Sequence, residues 1–445
     1  MLEQREDMPR YAAYKDSGVE WLGEIPVHWD IRKLGFIGEF SASGIDKYIN
    51  PNEPKVKIIN FTDVCGNMTR ILDSSFNFME VTTTEFNRIR HLVKKGDLIF
   101  LPSSETYEDL GLSALVNEDI ENTSYSYHLI RFRFQYEITH SFRKYLTNNN
   151  FVLNQFSRAG KGTTRKIIGR NIFKNILVLI PPFPEQTAIA SFLDRKTAQI
   201  DQAVAIKQQQ IALLKETKQI LIQNAVTRGL DPNVPMRDSG VEWIGAIPAH
   251  WQINRGKYLF NEIDDRSISG EEELLSVSHM TGVTPRSEKN VTMFMAEDYT
   301  GSKTCQDGDL VFNIMWAWMG ALGVADRIGI VSPSYAVFRQ KTGTFNPQYL
   351  EFLLKTIGYI DHYNKVSTGL HISRLRFYSH MFFNMELGYP SKGEQDKIVA
   401  HIETQAAKID QALVIQQQQI DKLKEYKATL INSAVTGKIR VTELI

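Results

Sequence analysis

Only two cysteines, Cys65 and Cys305, occur in 445 residues, and they lie far apart in the sequence. That excludes a disulfide framework and a cysteine-built zinc site, and it points to a reducing compartment. No stretch approaches the run of about 18 apolar residues that a membrane helix needs. The opening Met-Leu-Glu-Gln-Arg-Glu-Asp has no apolar signal core. The expectation is a soluble, cytoplasmic chain with no membrane partner. Charge of one sign is missing too: 51 Lys and Arg stand against 51 Asp and Glu. This excludes a generally polybasic protein and leaves room for a local basic groove. The common catalytic signatures are absent as well. There is no G-x-x-x-x-G-K-[ST] phosphate loop, no G-x-S-x-G elbow and no H-E-x-x-H, and no G-x-G-x-x-G follows a strand.

What is present is repetition. Residues 16–29, DSGVEWLGEIPVHW, return as residues 238–251, DSGVEWIGAIPAHW, with eleven of fourteen positions identical at an offset of 222. Residues 198–227 return as 407–436 with 19 of 30 identical at an offset of 209. Two such pairs in the same order mean an internal duplication. The blocks between them, about 30–184 and 252–393, differ in most residues. Weaker echoes survive there, notably Gly96-Asp97-Leu98-Ile99-Phe100 with Gly308-Asp309-Leu310-Val311-Phe312. The chain therefore divides into 1–184, a connector with a first domain; 185–228, a long helix; 229–393, a connector with a second domain; and 394–445, a second long helix.

Segment 186–227 contains no Gly or Pro and is rich in Ala, Gln, Lys, Leu and Ile. Ile200, Lys207, Leu214 and Leu221 fall in one heptad position, and Val204, Ile211, Lys218 and Ala225 in the other. The second copy aligns as Ile409, Gln416, Leu423 and Leu430, with Leu413, Ile420, Lys427 and Ala434. This is a coiled-coil seam interrupted by polar residues. Apolar residues off the seam, at Ile206, Leu213, Ile220, Ile415 and Ile431, mark a surface for partner proteins. Strand-like runs at Val56–Phe61, Asp97–Leu101, His128–Phe134, Ile176–Ile180, Leu310–Ile314 and Ala336–Arg339 give each block a mixed α/β character. His28-Trp29 and His250-Trp251 are expected to be packing pairs, not metal ligands. Ile180-Pro181-Pro182-Phe183 superficially echoes the Asn/Asp-Pro-Pro-aromatic loop of amino-methyltransferases, but an isoleucine cannot hydrogen-bond an exocyclic amine.

The neutral total hides two acid-free windows. From Ile138 to Pro184 there are eight Lys and Arg and no acid, including Arg158, Lys161, Arg165 and Lys166 around the polar loop Gly160-Lys-Gly-Thr163-Thr164-Arg165. From His362 to Met385 there is again no acid, with His371, Ser373, Arg374 and Arg376 at the corresponding place. Basic side chains neutralise phosphates, and Arg forks and Thr hydroxyls reach base edges. Two loops follow the repeated Gly-Asp-Leu strands: Ser103-Ser104-Glu105-Thr106-Tyr107, and Asn313-Ile-Met-Trp316-Ala-Trp318. They share a location and differ in content, as expected of two domains reading different sequences. The candidate DNA-binding residues are thus Ser104, Thr106, Tyr107, Arg158, Lys161, Thr163, Thr164, Arg165 and Lys166 in the first half. In the second half they are Trp316, Trp318, His371, Ser373, Arg374 and Arg376.

Taken together, the twin connector motifs, the Gly-Asp-Leu strands, the Glu185-Gln186 and Glu394-Gln395 helix starts and the endings Ala225-Val-Thr and Ala434-Val-Thr resemble the DNA-specificity subunit of type I restriction–modification systems, over essentially the whole chain. The resemblance implies a mixed α+β fold in which two target-recognition domains are joined by two long antiparallel helices forming a coiled coil, with a pseudo-twofold internal repeat. It also implies a non-catalytic subunit that reads double-stranded DNA as two half-sites separated by a gap. Two methyltransferase subunits and two motor-nuclease subunits would be its partners, and S-adenosylmethionine, ATP and Mg would belong to them. The alternative is a coiled-coil scaffold that makes no sequence-specific DNA contact.

Overall fold

The computed structural model describes residues 9–289, 298–371 and 374–441. Two helices dominate it, Phe183–Arg228 and Lys392–Val435, of 46 and 44 residues. The chain forms two compact units. One comprises Met1–Lys207 with Gln418–Ile445, and the other Gln208–Gln417. Each unit therefore combines one α/β block with half of each long helix.

The two blocks share a sheet plan. In the first unit the strand order is Gly38–Ser41, Ile130–Phe134, Leu98–Phe100, Ser113–Val116 and Ile71–Leu72. In the second it is Phe260–Ile263, Ala336–Gln340, Leu310–Phe312 and Leu322–Val324. The Gly-Asp-Leu strands lie inside these sheets and are wholly buried, so all three of their residues are apolar. The aspartate just before each strand explains the rest of that repeat. Asp97 takes a two-pronged contact from Arg133, Nε to Oδ1 at 2.8 Å and Nη2 to Oδ2 at 2.7 Å. Asp309 takes the same fork from Arg339 at 2.8 and 2.8 Å. Each carboxylate also accepts the backbone N–H three residues earlier, from Lys94 and Gln306.

The connectors are explained by the helix starts. Glu185 Oε2 accepts the indole N–H of Trp29 at 2.9 Å and the hydroxyl of Tyr11 at 2.7 Å, and its Oε1 lies 2.6 Å from His28 Nε2. Glu394 holds Trp251 Nε1 at 3.1 Å and His250 Nε2 at 2.9 Å. The neighbouring Gln186 and Gln395 accept the N–H of Thr139 and Asn346 and donate to the carbonyls of Pro181 and Pro390. The His-Trp pairs and the Glu-Gln pairs are thus two halves of one joint, which carries each block on the first turn of its helix.

The heptad positions form the buried stripe of the helix pair. In the first unit Ile200, Leu430 and Ala434 join the core, with Val204 and Leu423 packed against it. In the second, Ala225 and Ile402 join the core and Leu221 packs on it. Two of the polar seam residues are ion-paired: Lys427 with Asp201 at 2.7 Å in the first unit, and Lys218 with Asp410 at 2.7 Å in the second. Seventeen residues up one helix correspond to seventeen down the other, so the pairing is antiparallel. The fold is the mixed α+β, internally repeated coiled-coil architecture expected. No helix among the described residues is long and apolar enough to cross a membrane.

Two histidines couple this core to pH. Burial lowers the proton affinity of His91, with Arg131 and Arg90 adding to it, and burial likewise lowers that of His362 despite the opposing pull of Glu386. Both bind a proton more weakly in the fold than in an unfolded chain, which takes up protons near pH 6.5. Protonation therefore favours the unfolded state, and stability falls as the pH drops below about 6.5. His362 stacks on Trp243 at 3.7 Å, and its Nδ1 is buried without a hydrogen bond. His362→Phe keeps the stack and removes the titration. Melting temperature plotted against pH should be flatter below pH 6.5 in that variant; an unchanged slope would refute the assignment.

Candidate nucleic-acid interface

In the first unit the chain leaves the buried Leu98–Phe100 strand and forms the two-residue strand Ser103–Ser104, which pairs antiparallel with Lys166–Ile167. Ile168 N–H donates to Pro102 O at 2.8 Å, and Lys161 and Ile167 exchange both backbone hydrogen bonds, at 3.1 and 2.8 Å. The two sequence segments singled out separately are therefore one structure: a tight loop over 161–167 docked on the exit of the Gly-Asp-Leu strand. Gly162 has φ +123°, and a Cβ there would sit 2.1 Å from Arg165 O, so only glycine fits the neck.

This scaffold presents Lys161, Thr163, Thr164 and Arg165 to solvent. The Arg165 Nε–H donates to Ser103 Oγ at 3.0 Å, and the guanidinium lies 5.8 Å from the Phe61 ring centre. The Lys166 ammonium lies 5.2 Å from the ring centre of Tyr107 and donates to Thr163 O. Arg158, at the end of helix Asn150–Ala159, is held 5.4 Å over the connector residue Trp21. Thr106 is exposed, with its hydroxyl donating to Asp109 at 2.8 Å. Ser104 is buried, and its Oγ accepts the Thr106 N–H, so it shapes the loop from below. Burial, followed by the positive charge of Arg165 and Lys47, lowers the proton affinity of His128. That places His128 and Lys47 beside this loop.

The second unit repeats the scaffold with other side chains. Phe377 N–H donates to Ile314 O at 3.0 Å, and Thr368 and Arg376 exchange backbone hydrogen bonds at 3.1 and 2.9 Å. A Cβ on Gly369 would meet Arg374 O at 2.5 Å. Trp316 is exposed and stacks on Trp318 at 6.0 Å and 21°. Trp318 is half-buried and anchored at both ends: its indole N–H donates to Met315 O, and Asn364 Nδ2 donates to its carbonyl. His371 and Arg374 are exposed, and Arg376 is half-buried. Ser373 lies outside the described residues.

Of the apolar helix positions, Ile206, Leu213, Ile220 and Ile415 are exposed. Ile431 is a correction: it packs on the core of the first unit, because the helix turns that residue toward the seam and the recognition block. Sequence reasoning missed Phe61, Lys47 and His128, which the fold brings to the loop from distant segments with no local signal. It also missed Leu370, which follows the neck glycine Gly369 as Thr163 follows Gly162.

Residues 26–216 match the type I restriction modification DNA specificity domain. The MjaVIII specificity subunit of Methanocaldococcus jannaschii is 25% identical over 306 residues, covering 64% of this chain and 67% of that protein. Residues 26–216 thus carry a type I restriction–modification DNA specificity domain, and the chain is similar to the specificity subunits of those systems. A putative MjaX specificity subunit from the same organism is 22% identical over 94% of this chain and 96% of its own length. Among solved structures, a chain from work on complex assembly and conformational transition of the type I R-M system superposes with a TM-score of 0.68 at 16% identity, covering 93% of this chain and 99% of that one. The HsdS subunit of Thermoanaerobacter tengcongensis superposes at 0.51 with 16% identity, covering 93% and 98%. Both show the fold, and the matched domain is one of DNA specificity.

Proposed function

We propose that this chain reads a gapped, two-part duplex site, one part with each unit, and that its long helices set the gap and dock methyltransferase subunits. The observation that carries the reading is the twin scaffold. Two equivalent strand exits each hold a glycine-necked loop, and the side chains they present differ in kind. Equal scaffolds with unequal chemistry suit two heads that share a docking geometry and recognise different bases. The exposed Ile206, Leu213, Ile220 and Ile415 offer the helices an apolar face for the modification subunits. Motor-nuclease subunits would join through that assembly, with S-adenosylmethionine, ATP and Mg held by the partners.

Mapping methylated adenines in cells with and without this chain tests the reading. The expected result is a single bipartite motif that disappears with the chain. Arg165→Ala and Arg374→Ala should then relax one half of the motif each, by about 1–3 kcal/mol of discrimination. A methylation pattern indifferent to the chain would leave the scaffold role in its place.

A further inference from the structure

Leu370 is fully exposed at the head of the 368–376 loop, and Trp316 is 49% exposed on the loop docked against its base. Apolar side chains held in water this way call for a partner. We propose that the second unit opens the duplex at one base step, with Leu370 as the inserted wedge and Trp316 as the stacking surface beside it. The proposal rests on the DNA-recognition reading above and adds to it a mode of recognition, deformation of the half-site.

Three features commit the apolar pair to a base step. The first is rigidity. The neck behind Leu370 is closed by the Thr368–Arg376 backbone pair and by the approach of Gly369 to Arg374 O, so the base from which Leu370 projects is set before any partner binds. Trp316 is likewise backed by Trp318, whose indole N–H and carbonyl are both tied down. The second is charge. Arg374 follows in the same loop and is exposed, with Arg376 half-buried at its base, in a window that carries no carboxylate from His362 to Met385. Cations flanking an apolar tip match phosphates on either side of an opened step. The third is contrast. The first unit has Thr163 where Leu370 follows the neck glycine of the second, and its loop offers Lys161, Thr164 and Arg165 side chains. The two heads use one scaffold for two kinds of physics: ionic and hydrogen-bonding contacts in the first, unstacking in the second.

The test uses the full chain assembled with its modification partner, on duplexes carrying the cognate site with 2-aminopurine placed at each position in turn. Fluorescence should rise at one step of the half-site assigned to the second unit by Arg374→Ala, and nowhere in the other half-site. Leu370→Ala should abolish that rise and weaken binding about tenfold, as should Trp316→Ala, while Trp316→Phe keeps a ring face and most of the affinity. Leu370→Ala should leave the salt dependence of binding unchanged, because no phosphate contact is lost, whereas Arg374→Ala should reduce its slope by about one. As Leu370 touches no core, its variants should melt with the parent. Flat fluorescence across the site, or undiminished affinity in Leu370→Ala, overturns the wedge. So does loss of the modification partner in Leu370→Ala, which would assign the side chain to a protein contact. A parent complex that does not prefer the cognate duplex to a scrambled one would overturn the recognition reading itself, a different outcome.

Discussion

Arg339→Met should lower the stability of the second unit by about 3–5 kcal/mol, and adding Asp309→Asn should restore most of the loss. Asp309 is fully buried, and the Arg339 fork is what neutralises it. Methionine fills much of the arginine's volume but strands an ionised carboxylate between buried strands. Desolvation then works against that charge with nothing to offset it. Asparagine removes the charge and keeps an oxygen to accept the Gln306 N–H, which shapes the turn into the Leu310–Phe312 strand. The single replacement is therefore worse than the double, an ordering that a simple loss of contacts does not produce. Arg133→Met with Asp97→Asn should behave alike, since the first unit repeats the fork. Urea unfolding of the full chain, followed at two wavelengths to separate the units, checks it. A double variant no more stable than Arg339→Met would show that the carboxylate is not the source of the loss.

That fork also shows what the sequence could and could not disclose. Gly-Asp-Leu was legible as a repeated strand because three apolar residues followed one polar one at the same place in both halves. Its arginine partners were not, because Arg133 and Arg339 lie 36 and 30 residues away on a neighbouring strand and only sheet pairing brings them together. The helices were legible along their lengths, since a heptad stripe is a local pattern and the seam residues are the buried ones, although the second ends at Val435 and does not run on to 445. Even Lys218 and Lys427 were visible as seam positions, although Asp410 and Asp201, which neutralise them, come from the opposite helix. The recognition loops were found from charge and glycine, as two separate clues, and the strand pairing of Ser103–Ser104 with Lys166–Ile167 joins them. Ile431 was misplaced for the converse reason: periodicity identifies the stripe a residue belongs to, while the recognition block that widens the buried face is a tertiary fact.

The joints at the two helix starts give the remaining large effect, and they make the repeat its own control. Glu185→Ala should destabilise the first unit by about 2–4 kcal/mol, and Glu394→Ala the second by roughly half as much. Removing Glu185 orphans the indole N–H of fully buried Trp29 and the hydroxyl of Tyr11. Burial and Glu185 together already hold that hydroxyl in its protonated, donating form. Removing Glu394 orphans the indole N–H of Trp251, while His250 remains exposed to water. The position equivalent to Tyr11 is Asn233, so the second joint lacks the aromatic donor. Loss of a carboxylate from the first turn of a helix costs both units the same few tenths to one kcal/mol and cancels in the comparison. Glu185→Gln should recover much of the loss, since Oε2 alone accepts from both buried donors and one amide oxygen in its place can do the same. The ranking should follow the number of donors left buried and unpaired, and equal losses from Glu185→Ala and Glu394→Ala would mean that the joint is held by packing of the tryptophans alone.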